Sequence, residues 1–478
     1  MNQYIIKTFG CKANMTDSQF IEAELKKKGW TPFRGNGDEL PLLYVINSCT
    51  VTNEANKQAK RALAGIKKSN PNSIVVVTGC AAEIDRLGFG SSCIVAGNRD
   101  KPRLTELIIR KFEERLGCRP HDDNMQSHVE VGWPAVGETV SVFRKADNAC
   151  GKTRGFLKIQ EGCNARCAYC AVPFARGPSR SLEVPQVIKF VREIVNRGAK
   201  EVVFTGINLG QYKDESGDRR TDLLTLVKRV LDETAVARLR ISSLDPTEIT
   251  SGFVKLVESD KRFCPHFHVS LQSVSDGILA SMKRRYRFSA IKDCLDMLKS
   301  CRPFDGGGPV FIGMDVMTGF PGEADNVFDE VYRLLSKLPW DRLHVFPFSE
   351  RANTLAVGLP GNVPVSKRKM RAKELNRLSL KRLVERYTGV INSVLKDVLV
   401  ESISNKPPRG RMSGSYLNNM LIKPSLWATG HTGNYTRVVI PIEATNGRQV
   451  QSNEIVKVTL KGLVIDEQGF DVSVIGEI

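Results

Sequence analysis

The sequence predicts an α/β protein in three parts: a parallel α/β sheet domain, a central partial (β/α)6 barrel, and a small C-terminal β-barrel. Three observations carry this. Apolar, β-branched runs alternate with helical periods in residues 1–118, and the alternation returns six times in residues 152–396. Strand-helix alternation implies parallel strands. Residues 397–478 switch to short strands punctuated by glycine and asparagine, the pattern of a small barrel. Between the first two parts, residues 119–151 carry Pro120, Gly132, Pro134 and Gly137 with no sustained helical period, and read as a linker. A chain of 478 residues is also too long for one core.

In the first part, strands at 3–7, 42–46 and 74–77 alternate with helices at about 18–28 and 53–67. Cys11, Cys49 and Cys80 each fall just past the carboxyl end of one of these strands. Right-handed crossovers return every strand pointing the same way, so the three thiols gather on the sheet edge where open α/β sheets bind ligands. A three-thiolate cluster site, and Cys49 and Cys80 as small buried hydrophobes at strand ends, are equal readings of that spacing.

The central strands are expected at 156–160, 201–205, 237–242, 266–271, 310–317 and 342–346, with helices between them, for example at 184–197 and 325–338. Six units are too few for an eight-stranded barrel and suit a partial one. Side chains of one strand parity are polar: Arg238, Arg240 and Ser242; His266, His268, Ser270 and Gln272; Lys158 and Gln160; Asp315; Arg342 and His344. A purely structural barrel fills its lumen with Val, Ile and Leu, so a polar lumen calls for a polar ligand. His266 and His268 lack a third ligand at suitable spacing and read as hydrogen-bonding groups. Residues 366–396 read as one long basic helix, with solvated face and phosphate contact equally weighted. The last strands fall at 398–402, 421–422, 436–442, 455–460 and 472–475, where Arg409, Arg411, Lys423, Tyr435 and Arg437 offer cations and an aromatic to RNA.

The most specific chemical signal is Cys163, Cys167 and Cys170, spaced Cys-x3-Cys-x2-Cys. Three thiolates on one loop hold three corners of a cubane and leave one iron open to a small molecule. Structural zinc wants four protein ligands, which makes it the weaker reading. A formal charge of +18 points to a polyanionic partner. No apolar run reaches membrane-spanning length and no signal peptide precedes the first strand, so a cytoplasmic protein is expected. Twelve cysteines in a reducing compartment argue for metal or redox chemistry over disulfides. Cys93, Cys118, Cys150, Cys264, Cys294 and Cys301 read as packing or surface residues. Gly151-Lys152-Thr153 lacks the earlier glycine of a phosphate loop.

The cysteine spacing within Glu161 to Pro173, the following Ala175-Arg176-Gly177-Pro178-Ser179-Arg180-Ser181 and the upstream Cys11, Cys49 and Cys80 resemble the radical S-adenosylmethionine methylthiotransferases over nearly the whole chain. Gly430-His431-Thr432-Gly433-Asn434-Tyr435-Thr436-Arg437-Val438 looks like the TRAM module that ends the tRNA-modifying members. The stretches beginning at Val203, Cys264 and Arg284 are similar to the type acting on threonylcarbamoyl-adenosine. The resemblance implies conversion of that base, at position 37 of tRNA, to its 2-methylthio derivative. It implies a 4Fe-4S cluster on Cys163, Cys167 and Cys170 that cleaves S-adenosylmethionine to a deoxyadenosyl radical. An auxiliary 4Fe-4S cluster on Cys11, Cys49 and Cys80 would deliver sulfur. Arg180 would meet the carboxylate of S-adenosylmethionine, and Thr205, Asn208, Ser242, Gln272 and Asp315 the rest of it. A flavodoxin- or ferredoxin-like electron donor is implied, and the sulfur source is left open. Close relatives modify isopentenyl-adenosine in tRNA or a ribosomal-protein aspartate, and a non-catalytic metal-containing RNA-binding protein is the alternative outside the enzymes. Val274 stands where the family usually has glycine, and the stretch from Phe348 lacks its usual Pro-Gly pair.

Overall fold

The computed structural model describes residues 2–33, 35, 40–51, 53–115, 153–216, 220–304, 308–413, 424–442 and 450–478. The linker read at 119–151 and the strand read at 421–422 lie outside them, as do Cys118, Cys150 and Lys423. The first part is a parallel sheet of β1 (Gln3–Thr8), β2 (Thr31–Pro32), β3 (Leu43–Ser48), β4 (Ile74–Gly79) and β5 (Ile94–Val95), in the order β2-β1-β3-β4-β5. Its helices are α1 (Lys12–Lys27), α2 (Asn53–Ser69), α3 (Cys80–Ile84) and α4 (Leu104–Arg115). Alternation along β3 sorts them: Leu43 and Val45 pack with Phe20, Ile21, Leu25, Leu104 and Ile108, while Tyr44 and Ile46 pack with Ala59, Leu63 and Ile66. Helix α1 begins at Lys12 rather than 18, because its first turns bury the polar Asn14, Thr16, Asp17 and Ser18 and so hide the apolar period.

The central part holds β6 (Arg154–Lys158), the antiparallel pair β7 (Gln160–Glu161) and β8 (Arg180–Ser181), β9 (Glu201–Thr205), the pair β10 (Lys213–Asp214) and β11 (Thr221–Asp222), and β12 (Arg238–Ile241). Then come β13 (His266–Gln272), β14 (Phe311–Thr318) and β15 (Arg342–Pro347). Strands β6-β9-β12 and β13-β14-β15 are each parallel, and the bridges Leu239–Phe263 and Leu244–Val269 join β12 to the second group, giving a six-stranded partial barrel. Around it lie α5 (Val172–Arg176), α6 (Val184–Asn196), α7 (Leu223–Glu233), α8 (Ser251–Ser259), α9 (Asp276–Ser281), α10 (Phe288–Ser300), α11 (Asp325–Lys337) and α12 (Val365–Thr388). In α6 the buried Val184, Val187, Ile188, Val191 and Ile194 recur at helical spacing, which is why it lies flat on the sheet. Helix α1 packs against β6, the open edge of the partial barrel, so the first domain closes the barrel from the side.

Helix α12 ends at Thr388, before Gly389, and not at 396. Much of its charge turns inward: Arg371 binds Glu323 and Asp325, Arg368 binds Glu350, and Arg382 stacks on Trp340 at 4.0 Å. Lys369, Lys373, Arg377 and Lys381 remain exposed, four residues apart, in one stripe.

The last part contains β16 (Val394–Ser404), β17 (Arg411–Ser413), β18 (Leu426–His431), β19 (Arg437–Ile442), β20 (Ile455–Asp466) and β21 (Asp471–Glu477). Their order β16-β18-β19-β21-β20, with β20 also paired to β16, closes a five-stranded barrel around Val398, Val438, Val456 and Val474. This barrel docks beneath the central one. The Tyr435 ring lies 4.5 Å from His266 and 4.8 Å from His431, with the Arg240 guanidinium 4.8 Å from its centre. Tyr435, expected to face RNA, is therefore spent on the barrel floor.

Candidate active site

Cys11 caps α1, Cys49 follows β3, and Cys80 opens α3, so all three leave the carboxyl edge of the sheet. What draws them together is Asn14. Its Nδ2 donates to the Phe9 and Ser48 carbonyls, both at 2.8 Å, and its Oδ1 faces the Cys80 sulfur at 4.0 Å. Gly10, at φ +95°, has no room for a β-carbon, which would collide with the Cys49 sulfur. Burial, Cys80 and Cys11 push the Cys49 thiol up to about 11, partly opposed by the Val51 N–H on its sulfur at 3.3 Å. Such a thiol ionises when a metal cation is offered.

The second trio sits on the loop between β7 and α5. Gly162, at φ +72°, lets the loop pass against the Pro178 carbonyl, and the Cys163 N–H donates to the Gly177 carbonyl at 3.0 Å. Gln160 clamps the loop to the end of β9: its Oε1 accepts from the Ile207 and Asn208 N–H groups, and its Nε2 donates to the Gly162 carbonyl at 2.8 Å. Cys163 accepts from Gln211 Nε2 at 3.6 Å, and Cys167 from Arg284 Nη1 at 3.3 Å. Arg284 is itself held by Asp245 and the Ser270 carbonyl, so its stretch serves the cysteine loop. Burial pushes the Cys170 thiol up to about 12. A cavity of about 540 Å³ opens beside Cys163, lined among others by Arg99, Arg166 and the half-exposed Phe174.

A buried ionic network joins the two loops. Asp17, on α1, accepts from Lys101, from Lys158 at 2.7 Å and from Arg176 at 3.0 Å. Glu161 accepts from Lys158 and from Arg176 at 2.8 Å. Burial alone would raise the Asp17 carboxyl; Lys101, Lys158 and Arg176 outweigh it and hold the group well below the usual range. Arg176 also donates from Nε to the Cys80 sulfur at 3.1 Å and from Nη2 to Asn14 Oδ1 at 2.5 Å. Asn14, Asp17, Lys101, Glu161 and Arg176 were missed by the sequence reading. For Asn14 and Asp17 the available signal is polar residues on the inward face of α1; Lys101, Glu161 and Arg176 lie on other elements and share no such pattern.

The remaining expected site residues divide by depth. Thr205, Ser242 and Gln272 stand at or just past the carboxyl ends of β9, β12 and β13, and Asn208 Nδ2 points to Cys163 at 3.9 Å. Among the described residues Ser242 Oγ and Gln272 Oε1 are buried with no hydrogen-bond partner, which suits a polar ligand. Asp315 lies deeper and binds His268 Nε2 at 2.8 Å. Arg180 Nη1 donates to the Pro178 and Arg176 carbonyls. In the lower lumen Arg240 binds Glu201 at 2.8 Å and Arg238 reaches the Asp397 carbonyl, while Arg240 Nη1 and His266 Nδ1 are buried with no hydrogen-bond partner among the described residues. At the floor the charges of Arg238 and Arg240 are thus paired with Glu201 of the protein itself rather than with a ligand.

The donor sets fit iron-sulfur clusters. Each trio offers soft sulfur ligands, thiolates once metal-bound, and Cys80 and Cys167 each accept a guanidinium N–H, the kind of bond that tunes a cluster. Among the described residues no three His, Cys, Asp or Glu side chains converge on one ion. Ligands of one zinc, each at about 2.3 Å, would stand within about 4 Å of each other, whereas cubane thiolates sit on separate irons.

A three-cysteine loop at the mouth of a six-stranded partial barrel defines a radical S-adenosylmethionine enzyme, and residues 157–335 match the family described as "Radical SAM superfamily". Residues 3–91 match "Uncharacterized protein family UPF0004". The chain is similar to the threonylcarbamoyladenosine tRNA methylthiotransferase MtaB of Aquifex aeolicus, 31% identical over 405 residues, covering 83% of this chain and 92% of that one. It is 29% identical to the Bacillus subtilis MtaB over 95% of this chain, and 30% identical to that of Chlamydia pneumoniae over 98%. They cover 92% and 96% of those proteins. The chain belongs to the MtaB family of tRNA methylthiotransferases.

Proposed function

We propose that this enzyme methylthiolates tRNA in the cytoplasm, converting threonylcarbamoyl-adenosine to its 2-methylthio derivative, with the first cluster on Cys163, Cys167 and Cys170 and the auxiliary one on Cys11, Cys49 and Cys80. The observation that carries the reading is the pairing of two three-thiol loops through one buried network, a two-part arrangement that electron transfer alone does not require. Bound there, the clusters and S-adenosylmethionine supply the radical chemistry and the sulfur, which acid-base groups cannot do at an aromatic C–H. The protein's own part is placement. Gln160 and Gly162 fix the first loop against β9, Arg284 orients Cys167, and Ser242 and Gln272 offer polar atoms to the cofactor. Helix α1 closes the barrel's open edge. An electron donor of flavodoxin or ferredoxin type is served by the opening beside Cys163, where Arg166 and Phe174 give a cationic, partly apolar rim. The test is anaerobic incubation of reconstituted enzyme, S-adenosylmethionine and reductant with tRNA carrying threonylcarbamoyl-adenosine, tRNA carrying isopentenyl-adenosine, or ribosomal protein. Mass spectrometry should find the methylthio group in the first alone; its appearance only in either of the others would overturn the assignment.

A further inference from the structure

The guanidinium of Arg176 is bound on every side: Nη1 by Glu161, Nη2 by Asn14 and Asp17, and Nε by the Cys80 sulfur at 3.1 Å. It cannot turn away from that sulfur without leaving buried carboxylates unpaired. The charges around it do not cancel. Among the described residues the carboxylates paired with Lys101, Lys158 and Arg176 are Asp17 and Glu161, so three cations against two carboxylates leave one positive charge in surplus, and Arg176 is the cation that touches sulfur. A second tie runs the same way: Asn98 Nδ2 donates to the Cys80 sulfur at 3.5 Å and to the Ala175 carbonyl at 2.6 Å. Both residues therefore join a cysteine of the first domain to helix α5 of the other cysteine loop.

Resting on the auxiliary cluster proposed above, we infer that Arg176 is a positioning residue for that cluster: it fixes the Cys80 sulfur and stabilises the reduced, more negative state. An N–H donor to a ligand sulfur and an adjacent uncompensated cation both favour the added electron. The loop that presents the first cluster thereby sets the reduction equilibrium of the second.

The experiment uses the full chain with Cys163, Cys167 and Cys170 replaced by alanine, reconstituted with iron and sulfide, and a potentiometric titration followed by electron paramagnetic resonance. Arg176→Lys keeps a cation beside the two carboxylates but lacks the planar fork that reaches the sulfur as well. About four irons per chain should remain. The one-electron reduction constant should fall at least tenfold, which is 59 mV for such a couple. Asn98→Ala leaves all five charges in place and should shift the potential less, in the same direction. If Arg176→Lys takes up no iron, the Asn98→Ala titration decides: a downward shift supports the inference. Unchanged potentials in cluster-loaded variants overturn it, and so does an equal shift of the first cluster in a Cys49→Ala/Cys80→Ala chain. A parent that binds no iron removes the auxiliary-cluster reading itself, and this inference with it.

Discussion

Replacing Asn14 by alanine should undo the auxiliary site while sparing the other. The side chain holds the Phe9 and Ser48 carbonyls and the Arg176 Nη2 group, all in a buried setting. Its loss orphans two carbonyls and one guanidinium N–H, at about 1–2 kcal/mol each, or roughly 3–6 kcal/mol in all. That is a large part of a domain's typical stability of about 5–15 kcal/mol. In a domain of this size about 1 kcal/mol moves Tm by about 4 °C or more, so the first domain's melting should fall by about 10 °C or more in circular dichroism. After anaerobic reconstitution the variant should hold about four irons instead of about eight, since Gln160, Gly162 and Arg284 still support the other loop. A variant that melts within about 2 °C of the parent and takes up both clusters would refute the claim that Asn14 draws the three cysteines together.

Cys163→Ala should abolish cleavage of S-adenosylmethionine, whereas Cys49→Ala should leave cleavage measurable by deoxyadenosine release and stop sulfur insertion; like behaviour of both would end the division of labour. Changing Lys369, Lys373, Arg377 and Lys381 together to serine should weaken tRNA binding and flatten the plot of log K against log salt by about 3 to 4, near 0.9 per lost phosphate contact. Equal slopes would leave the stripe a solvated face. His266 is held neutral well below its ordinary pKa of 6.5, first by burial and then by Arg240. As pH falls through 6.5 the unfolded chain takes up a proton there and the folded chain does not, so stability that is complete above 6.5 declines below it. Urea midpoints at pH 7.5 and about 5.5 should therefore show a smaller drop for His266→Gln than for the parent.

The sheet edge, the six-unit barrel and both cysteine trios are legible in the sequence because each depends on local periodicity and short spacing. Strand ends at Ser48 and Gly79 put Cys49 and Cys80 where a parallel sheet gathers its loops. The network that joins the trios is not legible, because its partners are far apart in sequence: Asp17 and Arg176 are separated by 159 residues. The same polar residues also disguised the start of α1. Basic character misleads at α12 for a similar reason, since Arg368 and Arg371 look like surface charge until Glu350 and Glu323 are brought to them. Strand β18 went unseen because its Ala428, Thr429 and Gly430 give weak alternation, and only pairing with β16 and β19 makes it a strand.

Iron and acid-labile sulfide per chain, measured with electron paramagnetic resonance on anaerobically reconstituted protein, test the two-cluster account most directly. About eight of each, as two cubanes require, is the predicted result. About four would leave a radical enzyme without its sulfur donor and contradict the part assigned to Cys11, Cys49 and Cys80.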